Sequence, residues 1–142
     1  MREIREILFR GKCCTTGEWV EGFLGIEELD DYVIQQFSFD EYFASECIDQ
    51  YSVKLETVGQ YTGLTDKNGK KIFEGDILSG YLDDLFPEEE SRYEVIWHDY
   101  GWHIRSNGFL DTPDNGWLKE NFEVIGNIHD NPELLKGSAK NE

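Results

Sequence analysis

The clearest structural signal in the sequence is the stretch Gln60-Tyr61-Thr62-Gly63-Leu64-Thr65-Asp66-Lys67-Asn68-Gly69-Lys70-Lys71-Ile72-Phe73-Glu74-Gly75-Asp76-Ile77. At its centre stands Asn68-Gly69, a residue pair that tolerates positive φ well, with short apolar runs on either side, as a tight turn between two strands requires. Asp66 suits the first position of that turn, because its carboxylate can accept hydrogen bonds from backbone N–H groups. Glu74-Gly75-Asp76 has the composition of a second turn, which leads into a strand predicted over residues 76–82.

Further strands are predicted on both sides of this stretch. Runs rich in branched and aromatic residues, separated by polar segments with turn composition, predict one hairpin at the start of the chain and another near residue 100. The alternation in residues 53–57 predicts a strand with one buried face. The predicted strands outside the central stretch are 4–9, 19–26, 53–57, 92–99, 102–106 and 123–128. Their spacing predicts a mainly β fold, a small antiparallel barrel or sandwich, rather than alternating β-α-β units.

Helices are expected to be few and short. Residues 38–47 are predicted to form one, because Ser38 can cap it and two acidic residues follow at the positive end of the helix dipole. Another is predicted to begin at Asn131, with Pro132 at the first helical position, where its missing N–H costs nothing. A single helical turn is predicted within residues 117–122. One or two short helices therefore accompany the strands.

The predicted organisation is a single domain over residues 1–136. An N-terminal hairpin and an acidic segment occupy residues 1–56, and a central and C-terminal β region occupies residues 57–136. An exposed loop is predicted at residues 83–90, and residues 137–142 are predicted to form a flexible tail.

The tryptophans are predicted to serve mainly in packing. They could line a ligand groove, but aromatic residues on strands usually fill the core of a small β protein. Trp19 and Trp97 are therefore predicted to be core residues, and Trp102 and Trp117 to be partly exposed.

Composition excludes several classes of partner. The chain has 142 residues, 39% hydrophobic and 30% charged, a balance typical of a soluble globular protein. The 13 Lys and Arg against 30 Asp and Glu give a net charge of −17, which disfavours direct binding to nucleic acid or to an anionic membrane surface. No apolar run approaches a membrane span or a secretory signal, so a cytoplasmic location is expected. Three cysteines, Cys13, Cys14 and Cys47, cannot form a fully paired disulfide framework.

Several residue groups could carry chemistry, and each also has a structural explanation. Asp66, Glu74 and Asp76 could hold a divalent ion in a metal-dependent hydrolase, but their positions suit turns, and no His or Lys stands at a fixed spacing from them. A zinc site would need the three cysteines and a histidine as ligands, and these residues lack the paired spacing that is typical of zinc sites. The basic cluster within 67–71 suits balancing of nearby acids better than phosphate binding. The sequence therefore predicts no catalytic residue, no cofactor and no bound metal.

Three blocks of the sequence resemble the YopX family of proteins encoded by bacteriophages and prophages. They lie within residues 2–23, 60–77 and 123–135, in the family's order. The resemblance implies a mainly β fold, a phage or prophage origin, self-association, and no established activity or catalytic residue. Where similar proteins usually have a charged residue and Asp-Asn before Gly17, this chain has Cys13-Cys14-Thr15-Thr16. The motif residues, expected to form structural turns or a contact surface, are Gln60, Tyr61, Thr62, Gly63, Leu64, Asp66, Asn68, Gly69, Glu74, Gly75, Asp76, Gly126 and Asn127.

Two classes of function follow from these observations. The first is a phage or prophage accessory protein without enzymatic activity, which binds copies of itself or a host or phage protein through strand edges and aromatic surface. The second is an acidic nucleic-acid mimic that inhibits a host DNA-binding enzyme, because eight acidic residues and no basic one occur between Glu27 and Asp49. The metal-dependent hydrolase is a third, less supported hypothesis.

Overall fold

The structure, a computed structural model, describes residues 6–28, 31–81, 90–106, 109–111 and 119–135. In these residues strands predominate, joined by short turns. The strands are β1 (Phe9–Lys12), β2 (Trp19–Glu28), β3 (Asp31–Asp40), β4 (Ser45–Ser52), β5 (Gly59–Thr65), β6 (Lys71–Phe73), β7 (Asp76–Tyr81), β8 (Glu90–His98), β9 (Gly101–Ser106), β10 (Phe109–Asp111) and β11 (Glu123–Asn127). A 3₁₀ helix lies at Leu55–Thr57, and residues 119–121 and 133–135 are helical.

The strands form two open antiparallel sheets. The first has the order β4-β3-β2-β1-β5-β6 and the second the order β10-β9-β8-β7-β11. The predicted mainly β class is confirmed, with two sheets rather than a closed barrel, and the helices within the described residues are short. The chain divides into two compact units, residues 1–61 and 62–142, and the boundary falls within β5.

The first unit is built from consecutive antiparallel neighbours. β1 pairs with β2 in an opening hairpin, and β2 pairs with β3. The bounds predicted for the first strand, 4–9, are wrong, because the described residues 6–8 lie outside any strand and the ladder with β2 runs from Phe9 to Lys12. Gly22 in β2 has no room for a side chain, since a Cβ there would collide with the backbone oxygen of Gln35. The buried apolar residues of this unit include Cys13, Val33, Ile34 and Val53. This core is small, so much of the sheet's apolar surface is left exposed.

The helix predicted over residues 38–47 is wrong. Ser38 lies in β3 directly opposite Cys47 in β4, and the chain reverses between these strands at residues 41–44. The reason is visible in the sequence, because Phe37 and Phe39 alternate with polar residues at the period of a strand. Asp40 does accept hydrogen bonds from backbone N–H groups, but it anchors a turn instead of a helix start.

The strand predicted over residues 53–57 is also wrong beyond its first residue. Val53 forms an isolated bridge with Cys13, and Leu55–Thr57 is a 3₁₀ helix. The buried Thr57 hydroxyl donates to the backbone oxygen of Lys54 at 2.6 Å and accepts from the backbone N–H of Lys12 at 2.9 Å. These bonds, one local and one to the distant β1, outweigh the alternating pattern, because a threonine side chain can replace a ladder partner.

The second unit has the larger core. Six buried residues form it, and Leu64, Trp102 and Val124 pack against it. The hairpin predicted near residue 100 is confirmed as β8 and β9, with Asp99 and Tyr100 at positive φ in its turn. The strand predicted at 123–128 is confirmed as β11. The core residues are Ile72, Leu78, Tyr93, Val95, Ile104 and Phe122.

The core position predicted for Trp97 is wrong. Its side chain is 55% exposed and makes an edge-to-face contact with the opposite Trp102, with 5.0 Å between ring centroids. Trp97 follows Tyr93 and Val95 on one face of β8, but it stands near the turn, past the core residues. Trp102 is half-buried, as predicted. The core position predicted for Trp19 is also wrong, since its side chain is half-buried and packs against the guanidinium of Arg10, 4.8 Å from its ring centroid.

The remaining local predictions have mixed outcomes. The short helix after Asn131 is confirmed at residues 133–135, and residues 119–121 account for part of the helical turn predicted at 117–122. Trp117, the tail at 137–142 and nearly all of the loop predicted at 83–90 lie outside the described residues. Among the described residues, no helix is long and apolar enough to cross a membrane.

Candidate interaction surface

Asp66 is the centre of the turn predicted at 66–69. Its Oδ1 accepts hydrogen bonds from the N–H groups of Asn68 and Lys70, at 2.8 and 2.9 Å. Its Oδ2 accepts from the N–H of Val124 in β11, at 2.9 Å, and the side chain is buried. Gly69 has φ +81°, which a glycine adopts without strain. The carboxylate therefore both closes the turn and attaches it to a distant strand.

The predicted second turn, at Glu74-Gly75-Asp76, is confirmed. The Oδ2 atom of the buried Asp76 accepts a hydrogen bond from the N–H of Phe73 at 2.7 Å. Gly75 has φ +91°, and its backbone N–H donates to Val95 in β8 at 2.9 Å. The turn thus links β6 to the second sheet through the backbone hydrogen bond between Gly75 and Val95 of β8.

The C-terminal motif pair has the same kind of role. Asn127 Oδ1 accepts hydrogen bonds from the N–H groups of His129 and Asp130, both at 2.9 Å, and so shapes the turn after β11. A Cβ at Gly126 would lie 2.5 Å from the Oδ1 of Asn131, so a larger residue there would displace the Asn131 side chain. Both residues therefore shape the backbone at the end of β11 and in the turn that follows it.

The motif residues of β5 lie on both sides of the boundary between the two units, with Gln60 and Tyr61 in the first unit and Thr62, Gly63 and Leu64 in the second. The Thr62 hydroxyl donates to the backbone oxygen of Ile72 at 2.8 Å, and Leu64 packs against the core. Gly63 has φ +89°. Gln60 pairs with Phe9 of β1, and the N–H of Tyr61 donates to Leu8 at 2.8 Å. In these contacts the motif acts as backbone scaffolding.

The structure does not gather the candidate metal ligands into a site. The described oxygen contacts of Asp66 and Asp76 are to backbone N–H groups of their own turns and of β11. No cluster of three or more His, Cys, Asp or Glu side chains within the described residues has the geometry to hold a metal ion. The geometry therefore gives the hydrolase and zinc hypotheses no support.

The Cys13 turn, Cys13-Cys14-Thr15-Thr16, lies between β1 and β2. Cys13 is buried, and its Sγ lies 3.3 Å from the hydroxyl oxygen of Thr15. Hydrogen bonds from the Thr15 hydroxyl, and after it from the Thr16 hydroxyl and the backbone of both residues, lower the pKa of Cys13 from 9.0 to about 6. Burial acts in the opposite direction but is outweighed. Here a sulfur atom anchors a turn, as carboxylates do at Asp40 and Asp66.

Four exposed large apolar side chains share one face of strands β2, β3 and β4. In β3, Phe37 stands opposite Ile48 of β4, and Phe39 follows two residues later on the same face. Phe23 of β2 makes an edge-to-face contact with Phe37, with 5.5 Å between ring centroids. Each of these four side chains is more than half exposed. We call Phe23, Phe37, Phe39 and Ile48 the aromatic face.

The middle of the aromatic face carries no charge. Next to Phe37 along β3 is Gln35, whose side-chain amide donates to the Oε1 of Gln50 at 2.6 Å. Gln35 and Gln50 are directly opposite each other in the ladder. Their side chains therefore satisfy one another, which lowers the cost of covering this part of the sheet.

The turn that joins β3 to β4 adds two more exposed aromatic residues. Tyr42 is 87% exposed, and its ring contacts that of Phe43 at 4.8 Å between centroids. Asp40 Oδ1 holds the turn by accepting from the N–H groups of Tyr42 and Phe43, at 2.9 and 3.3 Å. Ala44 completes the turn at φ +49°, which is unusual for a residue with a side chain.

The acidic residues of this hairpin are divided between its two faces. By the register, Asp31 and Glu46 lie on the same face as the aromatic residues, whereas Asp40 and Asp49 lie on the opposite face. A nucleic-acid mimic needs its carboxylates along one continuous surface. The division therefore favours the aromatic face over the charge run as the contact surface.

Sequence reasoning missed the aromatic face because it assigned residues 38–47 to a helix. The signal was present, since Phe37, Phe39 and the polar residues between and after them alternate at the period of a strand. Reading a hairpin there would have placed both rings on one face.

Comparison with known proteins agrees with this architecture. A sequence model of the family described as YopX protein matches residues 8–136. The chain belongs to the YopX family. No curated protein matches it. Among solved structures, this YopX protein is similar to the crystal structure of protein EF1440 from Enterococcus faecalis, with 25% sequence identity and a TM-score of 0.64. The match covers 93% of this chain and 99% of that one.

Proposed function

We propose that this YopX protein is a phage or prophage accessory protein without enzymatic activity, which acts in the bacterial cytosol as a protein-interaction module and associates with copies of itself through the aromatic face. The observation that carries the proposal is the set of four large apolar side chains on one sheet face, each more than half exposed. Soluble monomers rarely expose contiguous apolar surface of this kind, and such patches mark interaction sites.

The chemistry of the aromatic face suits a contact between proteins. Aromatic residues are enriched at the centres of interfaces, where they remove large apolar areas from water at a small cost in side-chain entropy. The rings of Phe23 and Phe37 already contact each other, so they are partly ordered before binding. Charged residues lie at the margin, as at the rim of typical interfaces.

In self-association, the aromatic face of a second copy is the apolar surface that covers the aromatic face of the first. A two-fold symmetric contact places the same patch on both subunits, so the aromatic face of one copy meets that of the next. With a net charge of −17 on each chain, repulsion opposes this contact at low salt and is screened at high salt. Association is therefore expected to strengthen as salt is added.

Light scattering at micromolar protein concentration tests the proposal. The wild-type chain is expected to be oligomeric, and Phe37→Ser to be monomeric with an unchanged thermal unfolding midpoint. Leu55→Ser is the matched control, because Leu55 is also 52% exposed but lies outside the aromatic face. A monomeric wild-type protein, or equal effects of the two substitutions, would contradict self-association through this face.

The mimic hypothesis makes the opposite prediction for salt. A pull-down from bacterial lysate, washed at low and then at high salt, would release a host DNA-binding enzyme on high salt if charge led the contact. A partner held by the aromatic face is expected to resist the wash. Retention of such an enzyme only at low salt would favour mimicry over the proposed function.

A further inference from the structure

We propose that the outer edge of β4 binds an extended segment of a partner protein as an added antiparallel strand, and that this segment carries Lys or Arg beside a branched apolar residue. The inference rests on the proposed interaction role and specifies the chemistry of one partner. β4 is the last strand in its sheet order, so its ladder partner is β3 on one side only. Strand addition at such an edge is a common mode of peptide recognition.

The hydrogen bonds at the end of β4 fix which backbone groups face outward. In antiparallel pairs, residues alternate between those bonded to the neighbour and those whose N–H and C=O point away from it. The N–H of Val53 donates to Tyr32 of β3 at 3.1 Å, whereas the C=O of Ser52 points the other way and accepts from the N–H of Cys14 at 2.8 Å. Continued along β4, the alternation directs outward the backbone groups of Glu46, Ile48 and Gln50.

This edge already forms backbone hydrogen bonds at the C-terminal end of β4 and just beyond it. The N–H of Cys14 bonds to Ser52, and the N–H of Lys54 donates to the C=O of Lys12 at 3.0 Å. Residues 12–14 thus act as a short neighbouring strand at the C-terminal end of the edge. An added segment alongside residues 46–50 would continue that line, and the side chains of Glu46, Ile48 and Gln50 are exposed there.

Charge decides between a second copy and a different partner. The edge carries Glu46 on the aromatic face and Asp49 on the opposite face, and no Lys or Arg occurs from Glu27 to Val53. Pairing two copies through this edge would bring two such segments together without a counter-charge. A segment with cations opposite Glu46 and Asp49 forms opposite-charge cross-strand pairs instead. An apolar residue opposite Ile48 extends the aromatic face by one strand.

A synthetic peptide of this pattern tests the proposal. The probe is the end-capped, fluorescently labelled peptide Thr-Thr-Lys-Val-Thr-Lys-Thr, whose Val faces Ile48 and whose two Lys face Asp49 and Glu46 in the antiparallel register. Its control carries an N-methyl group on the backbone nitrogen of Val, which removes a ladder donor and leaves the charge unchanged. We expect saturable binding by fluorescence anisotropy that weakens as salt is added, and about tenfold weaker binding of the methylated peptide.

Variants of the full-length protein then locate the contact. Ile48→Pro removes one outward N–H without removing a β3 ladder bond, and Ile48→Val keeps that N–H. The Pro variant is expected to bind the peptide about tenfold more weakly, and the Val variant to bind within about twofold of wild type. Glu46→Gln combined with Asp49→Asn is expected to weaken binding and flatten its salt dependence. Circular dichroism confirms that each variant is folded.

The outcomes separate this proposal from the proposed function. No saturable binding, equal binding of the methylated peptide, or an unchanged affinity in Ile48→Pro and in the charge variant would each overturn strand addition. A wild-type protein that is oligomeric, loses this state in Phe37→Ser and ignores the peptide would keep the proposed function and overturn this inference. A wild-type protein that is monomeric and binds the peptide through Ile48 would keep strand addition and overturn self-association through the aromatic face.

Discussion

Two turns of this protein are built alike and serve different purposes. At the β5–β6 turn, the carboxylate of Asp66 accepts from two N–H groups of its own turn and from Val124 far along the chain. At the β3–β4 turn, Asp40 accepts from Tyr42 and Phe43 alone among its described contacts. The first carboxylate is buried and the second is half-exposed. The same Asp anchor therefore supports the fold in one place and presents aromatic side chains in the other.

Removing the two carboxylates gives the largest expected difference. Asp66→Ala leaves three backbone N–H groups without their acceptor in a buried setting, so we expect a loss of about 3 kcal/mol or more in the free energy of unfolding. Asp40→Ala is expected to cost about 1 kcal/mol or less, because water can replace the lost acceptor. Urea unfolding of both variants measures the difference. Equal costs would break the comparison.

The residues at positive φ in the two turns should respond in opposite directions. Gly69→Ala places a side chain at φ +81° and is expected to destabilise the protein by about 1 kcal/mol. Ala44→Gly relieves a side chain at φ +49° and is expected to stabilise it by a few tenths up to about 1 kcal/mol. Thermal unfolding of both variants gives the two signs. A destabilising Ala44→Gly would show that Ala44 makes contacts which outweigh its backbone strain.

Substitutions of the exposed aromatic residues in the β3–β4 turn are expected to leave the stability of the fold almost unchanged. Tyr42→Ser combined with Phe43→Ser should change the free energy of unfolding by less than about 0.5 kcal/mol, since both rings are largely exposed. Phe122→Ala, in the core of the second unit, is the contrasting variant and is expected to cost about 3 to 5 kcal/mol. Urea unfolding compares them. A large loss of stability in the double variant would assign the turn a structural role.

The Cys13 turn is held by a sulfur atom instead of a carboxylate, and its expected effect, a change in thiolate absorbance with pH, is the smallest of the four. Because the folded pKa of Cys13 is lowered from 9.0 to about 6, its thiolate stabilises the folded state fully above pH 9 and loses this effect as pH falls through about 6. Ultraviolet absorbance of the thiolate should therefore titrate near pH 6 in the wild type. The step should vanish in Cys13→Ser and persist in Cys14→Ser. A step lost only in Cys14→Ser would contradict this assignment.

Prediction from the sequence succeeded where local chemistry decides conformation. Asn68-Gly69 and Gly75 favour positive φ, and Asp66 and Asp76 supply acceptors within a few residues, so both central turns could be located without tertiary information. Prediction failed at residues 38–47, where Ser38 and the acids after it fit either a helix start or a hairpin. The ladder between β3 and β4 selected the hairpin, because it pairs Phe37 with Ile48 across strands that the sequence alone does not align.

The sequence by itself determined the mainly β class, the central turns and the strongly acidic character, with a net charge of −17. These properties depend on composition and on contacts between near neighbours along the chain. Only the tertiary structure decided that Asp66 is joined to Val124, that Trp97 stands outside the core, and that four apolar side chains share one exposed sheet face. Each of these depends on strand register and on where the core ends, which are set by contacts between residues distant in sequence.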